Sequence, residues 1–114
     1  MIVNIETRSG TDFSRNFFYR DSDGNPISLV ESKLEMMVRR RASDATVYLD
    51  LSTDNSKIFF VDRVGGVFMI TIDHDSLNQL AAGTYEHALI LIKSTGLREE
   101  LWHGTLTHVI GATR

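Results

Sequence analysis

The chain has 114 residues, 42% of them hydrophobic and 24% charged, which is the size and balance of a single folded domain and excludes a disordered, fibrous or two-domain chain. A formal net charge of −3 and a pI near 5.7 provide no overall attraction to nucleic acid or to an anionic membrane. The absence of cysteine removes disulfide staples, thiolate catalysis and cysteine-ligated zinc together.

The first residues, Met-Ile-Val-Asn-Ile-Glu-Thr-Arg, contain neither a charged leader nor a long apolar run. No segment approaches the roughly 18–20 apolar residues that span a bilayer. The expectation is a protein made in the cytoplasm without an export signal. Ile2, Val3 and Ile5, followed by Ser9 and Gly10, read as a first strand or as an N-terminal arm over residues 1–10 that pairs with a sheet edge, in its own chain or a neighbour's. Phe13, Phe17 and Tyr19 mark the second strand. Residues 21–26, Asp-Ser-Asp-Gly-Asn-Pro, form its turn. This hexapeptide opens like a calcium loop, but the downstream glutamate and flanking helices are missing, so the turn is the stronger reading.

Residues 33–39 alternate Leu34, Met36 and Val38 with polar or longer side chains, the period of a half-buried strand. Arg39, Arg40 and Arg41 follow, a contact for phosphate or an acidic partner in one reading and a solvated strand end in the favoured one. Val47, Leu49 and Leu51 alternate in another strand, residues 57–61 begin the next, and residues 67–72 form a further one after Gly65 and Gly66. Strands at this spacing belong to a sandwich or barrel. The rhythm breaks once, where Asp73 or Asp75 caps a short helix, Leu77 and Leu80 plug the core, and Gly83 ends it.

Residues 83–109 carry two β-rich runs around a Ser-Thr-Gly-Leu turn, the signature of an antiparallel hairpin. With Thr95 and Gly96 as the tight turn, Leu91 lies opposite Glu100, Leu89 opposite Trp102, and Tyr85 opposite Leu106. Tyr85, Leu89, Leu91, Trp102 and Leu106 then share one face, and Ala88, Ile90, Ile92, Leu101 and Val109 share the other. Both faces are apolar, whereas a small antiparallel sheet ordinarily turns one face to water. The second face therefore needs a cover, from the arm or helix of the same chain or from a neighbouring subunit.

Chemistry is sparsely represented. His74, His87, His103 and His108 show no local ligand spacing, and His87 and His103 point to opposite faces in this register, so no metal is expected. Asp73, His74, Asp75 and Ser76 are triad residue types, but consecutive residues in a helix cap do not converge on one reacting atom. Glu99 and Glu100 point to opposite faces and make no glycosidase pair. No catalytic residue or cofactor site is expected. Trp102 with Tyr85, Tyr48 and Phe13 would suit sugar stacking, yet a lone tryptophan beside Leu89 and Leu91 reads as core.

The 21–27 turn after an aromatic strand, the 34–39 strand, the 47–52 repeat, the Leu-Ala-Ala-Gly-Thr-Tyr step at 80–85 and the Leu-Trp-His-Gly-Thr-Leu-Thr run at 101–107 occur in this order. Together they resemble the small immunoglobulin-like β-sandwich structural proteins of tailed bacteriophages and prophages, over most of the chain from Phe13 onward. The resemblance implies a non-enzymatic virion component, an adaptor or decoration at tail, neck or baseplate, with other virion proteins and copies of itself as partners and neither nucleic acid nor membrane. It transfers no catalytic residues. The sequence thus leads to one all-β domain over residues 1–114, an antiparallel sandwich of seven or eight strands with one short helix. Its interface is expected at Ala88, Ile90, Ile92, Leu101 and His103, with Lys93 and Glu99 in the polar rim. The alternative function is a carbohydrate-binding sandwich for host-surface polysaccharide.

Overall fold

The computed structural model describes residues 2–113, and all structural statements concern these. Eight strands and one helix follow in chain order: β1 (Ile5–Arg8), β2 (Phe13–Phe18), β3 (Ser32–Arg39), β4 (Leu49–Ser52), β5 (Ile58–Asp62), β6 (Val67–Ile72), α1 (His74–Asn78), β7 (Gly83–Lys93) and β8 (Arg98–Val109). They form a five-stranded sheet, β1-β8-β7-β3-β4, and a three-stranded sheet, β2-β6-β5. Every pairing is antiparallel except β1 with β8, which is parallel with Ile5 opposite Leu106 and Thr7 opposite His108.

Alternation builds the core. Leu34, Met36 and Val38 of β3, Tyr85, Leu89 and Leu91 of β7, and Trp102 and Leu106 of β8 are buried from one sheet. Phe17 of β2, Ile58 of β5, and Phe68, Ile70 and Ile72 of β6 meet them from the other. The two layers interlock through aromatic rings. Trp102 lies 4.7 Å from Phe17 and 5.8 Å from Phe68, centroid to centroid, and Phe17 stacks on Phe68 at 5.7 Å. The tryptophan is core, as its neighbours in the hairpin suggested.

The N-terminal arm pairs within its own chain. The Val3 N–H donates to the His103 carbonyl at 3.0 Å, and Asn4 Oδ1 accepts from the N–H and hydroxyl of Thr105. Gly104 permits this approach, because a Cβ there would fall on the Val3 carbonyl oxygen. The arm extends the edge beside β8 and leaves the outer face of β7 open.

Asp73 caps α1, its carboxylate accepting from the Ser76 N–H at 2.9 Å, and Leu77 and Leu80 are buried beneath. Gly83 does not end the helix. Gln79 is the C-cap, and Gly83 opens β7 at φ +141°, where a Cβ would strike the Arg40 guanidinium. The Tyr85 hydroxyl donates to the Ala81 carbonyl at 2.7 Å and pins the connection between α1 and β7. Strand β4 is shorter than its alternating pattern promised, and Val47 and Tyr48 before it are exposed.

Candidate functional site

The outer face of the five-stranded sheet is read from its ladders, since directly opposed residues share a face. Ile92 lies between Lys33 and Arg98, Ile90 between Glu35 and Glu100, and Ala88 between Met37 and His103. Met37, Ala88, Ile90 and Ile92 are half-buried and line an apolar strip, bordered by exposed Lys33, Arg98, Glu100 and His103 and by half-buried Glu35. A groove of about 430 Å³ runs over Met37, Ala88 and Ile90, and no described residue of the arm or of α1 lines it. Neither segment is the cover that two apolar faces demanded.

Four of the five expected interface residues meet here and one does not. A bulge in β8 interrupts the hairpin between Leu89 and Ile90, so that Leu89 opposes Trp102 while Ile90 opposes Glu100. Leu101 is the extra residue. It is half-buried and packs against the core instead of facing outward. Register is as expected from Tyr85 to Leu89 and shifted by one from Ile90 to the turn, because an inserted residue exchanges the faces of all that follow. Glu99 accordingly moves opposite the inward-facing Leu91 and ion-pairs with Lys93 at 3.2 Å, so the rim belongs to Glu100 and Glu35 rather than to Lys93 and Glu99. His103 contacts the Glu100 carboxylate at 3.2 Å.

Other candidates resolve into structural roles. The Arg39 guanidinium donates to the carbonyls of Asp44 and Ala45, and Arg40 lies 4.3 Å over the Tyr85 ring while donating to Ala82 and, at longer range, Thr84. Two of the three arginines are thereby committed to their own chain. In the 21–26 segment, Asp21 Oδ1 accepts from the N–H groups of Asp23 and Asn25, and Gly24 adopts φ +83°. The carboxylate is spent on a turn. Tyr85 and Trp102 are buried, Phe13 packs against the core, and Tyr48 is the one exposed ring of the sugar-stacking set.

The histidines occupy two environments. His87 and His108 are buried on the inner side, His87 Nε2 against the Thr105 carbonyl at 3.2 Å and His108 Nδ1 against the Thr7 hydroxyl at 2.8 Å. Desolvation lowers both pKa values from the ordinary histidine range. His74, at the exposed start of α1, places Nδ1 2.9 Å from Asp12 and Nε2 3.5 Å from Asp75. The hydrogen bond to Asp12, then the charge of Asp75, raises its pKa, and the same bond lowers that of Asp12. Among the described residues no group of three or more His, Asp or Glu side chains is arranged to hold a metal ion.

No protein-family model matches the chain, and neither does any curated protein. Among solved structures, the N-terminal domain of phage TP901-1 ORF48 is similar at a TM-score of 0.51 and 14% identity, with 95% of this chain and 84% of that chain covered. Murine CRIg is similar at a TM-score of 0.45 and 10% identity, covering 95% of this chain and 92% of that one. Tim-1 gives 0.46 and 13%, covering 100% and 97%. At such identities the likeness is one of fold and carries no function with it. Two facing sheets of five and three strands, a corner tyrosine at the start of β7 bonded to the preceding loop, and the likeness to the ORF48 domain agree: the chain is a small immunoglobulin-like β-sandwich.

Proposed function

We propose that the chain is a non-enzymatic structural protein of a tailed-phage virion, an adaptor or decoration module of tail, neck or baseplate that acts through protein contact. One observation carries the reading. The outer face of the five-stranded sheet presents Met37, Ala88, Ile90 and Ile92 as an apolar strip with a charged border, and among the described residues none of the N-terminal arm or of α1 lines the groove over it. Apolar centre and polar rim are the anatomy of a protein interface. The fold-level likeness to a phage protein's N-terminal domain agrees with this reading.

The test is incorporation into particles. Purified virions should contain the wild-type chain in fixed stoichiometry by quantitative mass spectrometry, while Ile90→Glu should fold with wild-type far-UV circular dichroism and be missing from them. Incorporation of a folded Ile90→Glu variant at the wild-type level would remove the interface, and absence of the wild type from particles would remove the virion role. A saccharide preference on a glycan array would support the carbohydrate alternative instead.

A further inference from the structure

Strand β2 stands outermost in the three-stranded sheet. In a constant-type immunoglobulin sandwich the first strand lies beside the second, in the same sheet. Here β1 pairs with β8 in the other sheet, so no strand takes that place. The Tyr19 N–H donates to the Gly66 carbonyl at 2.8 Å, and alternation then directs the backbone groups of Phe17, Arg15 and Phe13 toward β6 and those of Ser14, Asn16 and Phe18 toward the open edge. Among the described residues no hydrogen bond reaches these outward N–H and C=O groups. All three residues are exposed.

The other three edges are blunted against pairing by short length, a bulge or a side-chain cap. Strand β4 has four residues, and Asn55 Nδ2 donates to its Asp50 carbonyl at 2.8 Å while Oδ1 accepts from its Ser52 N–H at 3.0 Å. Strand β5 is broken by the bulge between Phe60 and Asp62. Strand β1 has four residues, and its Arg8 carbonyl accepts from the Thr11 hydroxyl at 3.0 Å. Strand β2 has six residues and an uninterrupted register with β6, and among the described residues nothing caps its outward groups. Its single charge, Arg15, is laid 4.8 Å over the Phe17 ring.

We infer that two copies of this chain pair edge to edge through β2, antiparallel about a two-fold axis at Asn16, as one continuous sheet in the order β5-β6-β2-β2-β6-β5. An axis there exchanges N–H and C=O bonds between the two Asn16 residues, and between Ser14 of each copy and Phe18 of the other, so every outward group of the strand is satisfied. It sets the two Asn16 amides, each both donor and acceptor, side by side. Arg15 comes to lie opposite the second copy's Phe17. Asp12, one of whose oxygens is held by His74 at 2.9 Å, lies opposite the second copy's Arg20, which among the described residues has no ion pair of its own. An axis at Arg15 would oppose two like charges, and one at Phe17 would part Asp12 from Arg20. This contact is made by the other sheet and is independent of the Ile90 face.

Light scattering across a concentration series should find the wild type rising to dimer mass. Asn16→Pro removes an N–H that bonds nothing within the chain, so it should keep the wild-type far-UV circular dichroism and stay a monomer. If that variant fails to fold, Asn16→Lys takes its place, and two like charges on the axis should lower self-affinity at least about tenfold. The chain has no cysteine, so a single one reports the axis. Asn16→Cys should oxidise to a disulfide-linked dimer far faster than Thr95→Cys on the exposed β7–β8 turn. Ile90→Glu should dimerise like the wild type, which separates this edge from the docking face. A wild type monomeric at every concentration, a folded Asn16→Pro or Asn16→Lys that assembles normally, or equal cross-linking of the two cysteine variants would overturn the edge pairing and leave the Ile90 reading standing. Loss of the dimer in folded Ile90→Glu would move the self-contact to the other sheet and overturn it as well.

Discussion

His74 on one hand, and His87 with His108 on the other, give this domain opposed responses to acid. The buried pair have folded-state pKa values below the unfolded one of about 6.5, so the stability they contribute by staying neutral is present above that pH and is lost as the pH falls toward their folded values. His74 has a raised folded pKa. Its contribution is complete below about pH 6.5 and is lost as the pH rises through the folded value. Asp12, whose pKa is lowered by the same contact, stays ionised throughout that window. Unfolding by denaturant at pH 7 and at pH 5 should therefore show a loss of stability on acidification, and His74→Gln should make the loss larger. A smaller or equal loss in that variant would mean that the bond to Asp12 does not hold the loop before β2 to the start of α1. Neither environment was legible in the sequence. Asp12 and His74 stand 62 positions apart, and nothing in their spacing announces the contact.

At the scale of elements, the hairpin shows where period-two reading succeeds and where it stops. Tyr85, Leu89, Trp102 and Leu106 were placed on the inner face correctly because alternation is strict there and each is large and apolar. The bulge at Leu101 was invisible because leucine suits either face, and the shift shows only in the charged residues beyond it, whose facing no apolar pattern constrains. A difference between two neighbours follows. Leu101→Glu should cost about 2 kcal/mol of stability, since the side chain packs against the core, whereas Ile90→Glu should change folding stability by less than about 1 kcal/mol because its face is open. Equal costs in chemical denaturation would restore the uninterrupted register. The parallel pairing of β1 with β8 was equally hidden, for an arm over a hundred residues from its partner in sequence leaves no local turn signal. The outer face of the three-stranded sheet, where Phe18, Phe59 and Val61 are exposed, escaped for a simpler reason. Ile-Phe-Phe-Val at 58–61 is a continuous apolar run, from which sides cannot be assigned until the bulge between Phe60 and Asp62 is seen.

For the whole molecule the question is what holds two sheets together without a disulfide. In antibody domains a cystine joins the sheets, its second cysteine two residues after the corner tyrosine, and a tryptophan packs against it. Here that position is His87, two residues after Tyr85, and it bonds to the neighbouring strand at Thr105 rather than across the sandwich. The crossing is made instead by Trp102 of one sheet, tilted against Phe17 and stacked on Phe68 of the other. These rings bury apolar area at the centre of the interlayer space, where no cross-link shares the work, so their removal acts on both sheets at once. Trp102→Ala should cost about 3–5 kcal/mol, enough to exhaust much of the stability of a small domain, while Trp102→Phe, which keeps a ring between Phe17 and Phe68, should cost less than half as much. The lone tryptophan also reports on its own site. Its fluorescence and the far-UV circular dichroism of the wild type should follow one denaturation curve, because a cluster spanning both layers cannot come apart while either sheet stays in place. A fluorescence transition that precedes the loss of strand signal would show that the sheets separate before they unfold, and that the aromatic contact is not what couples them.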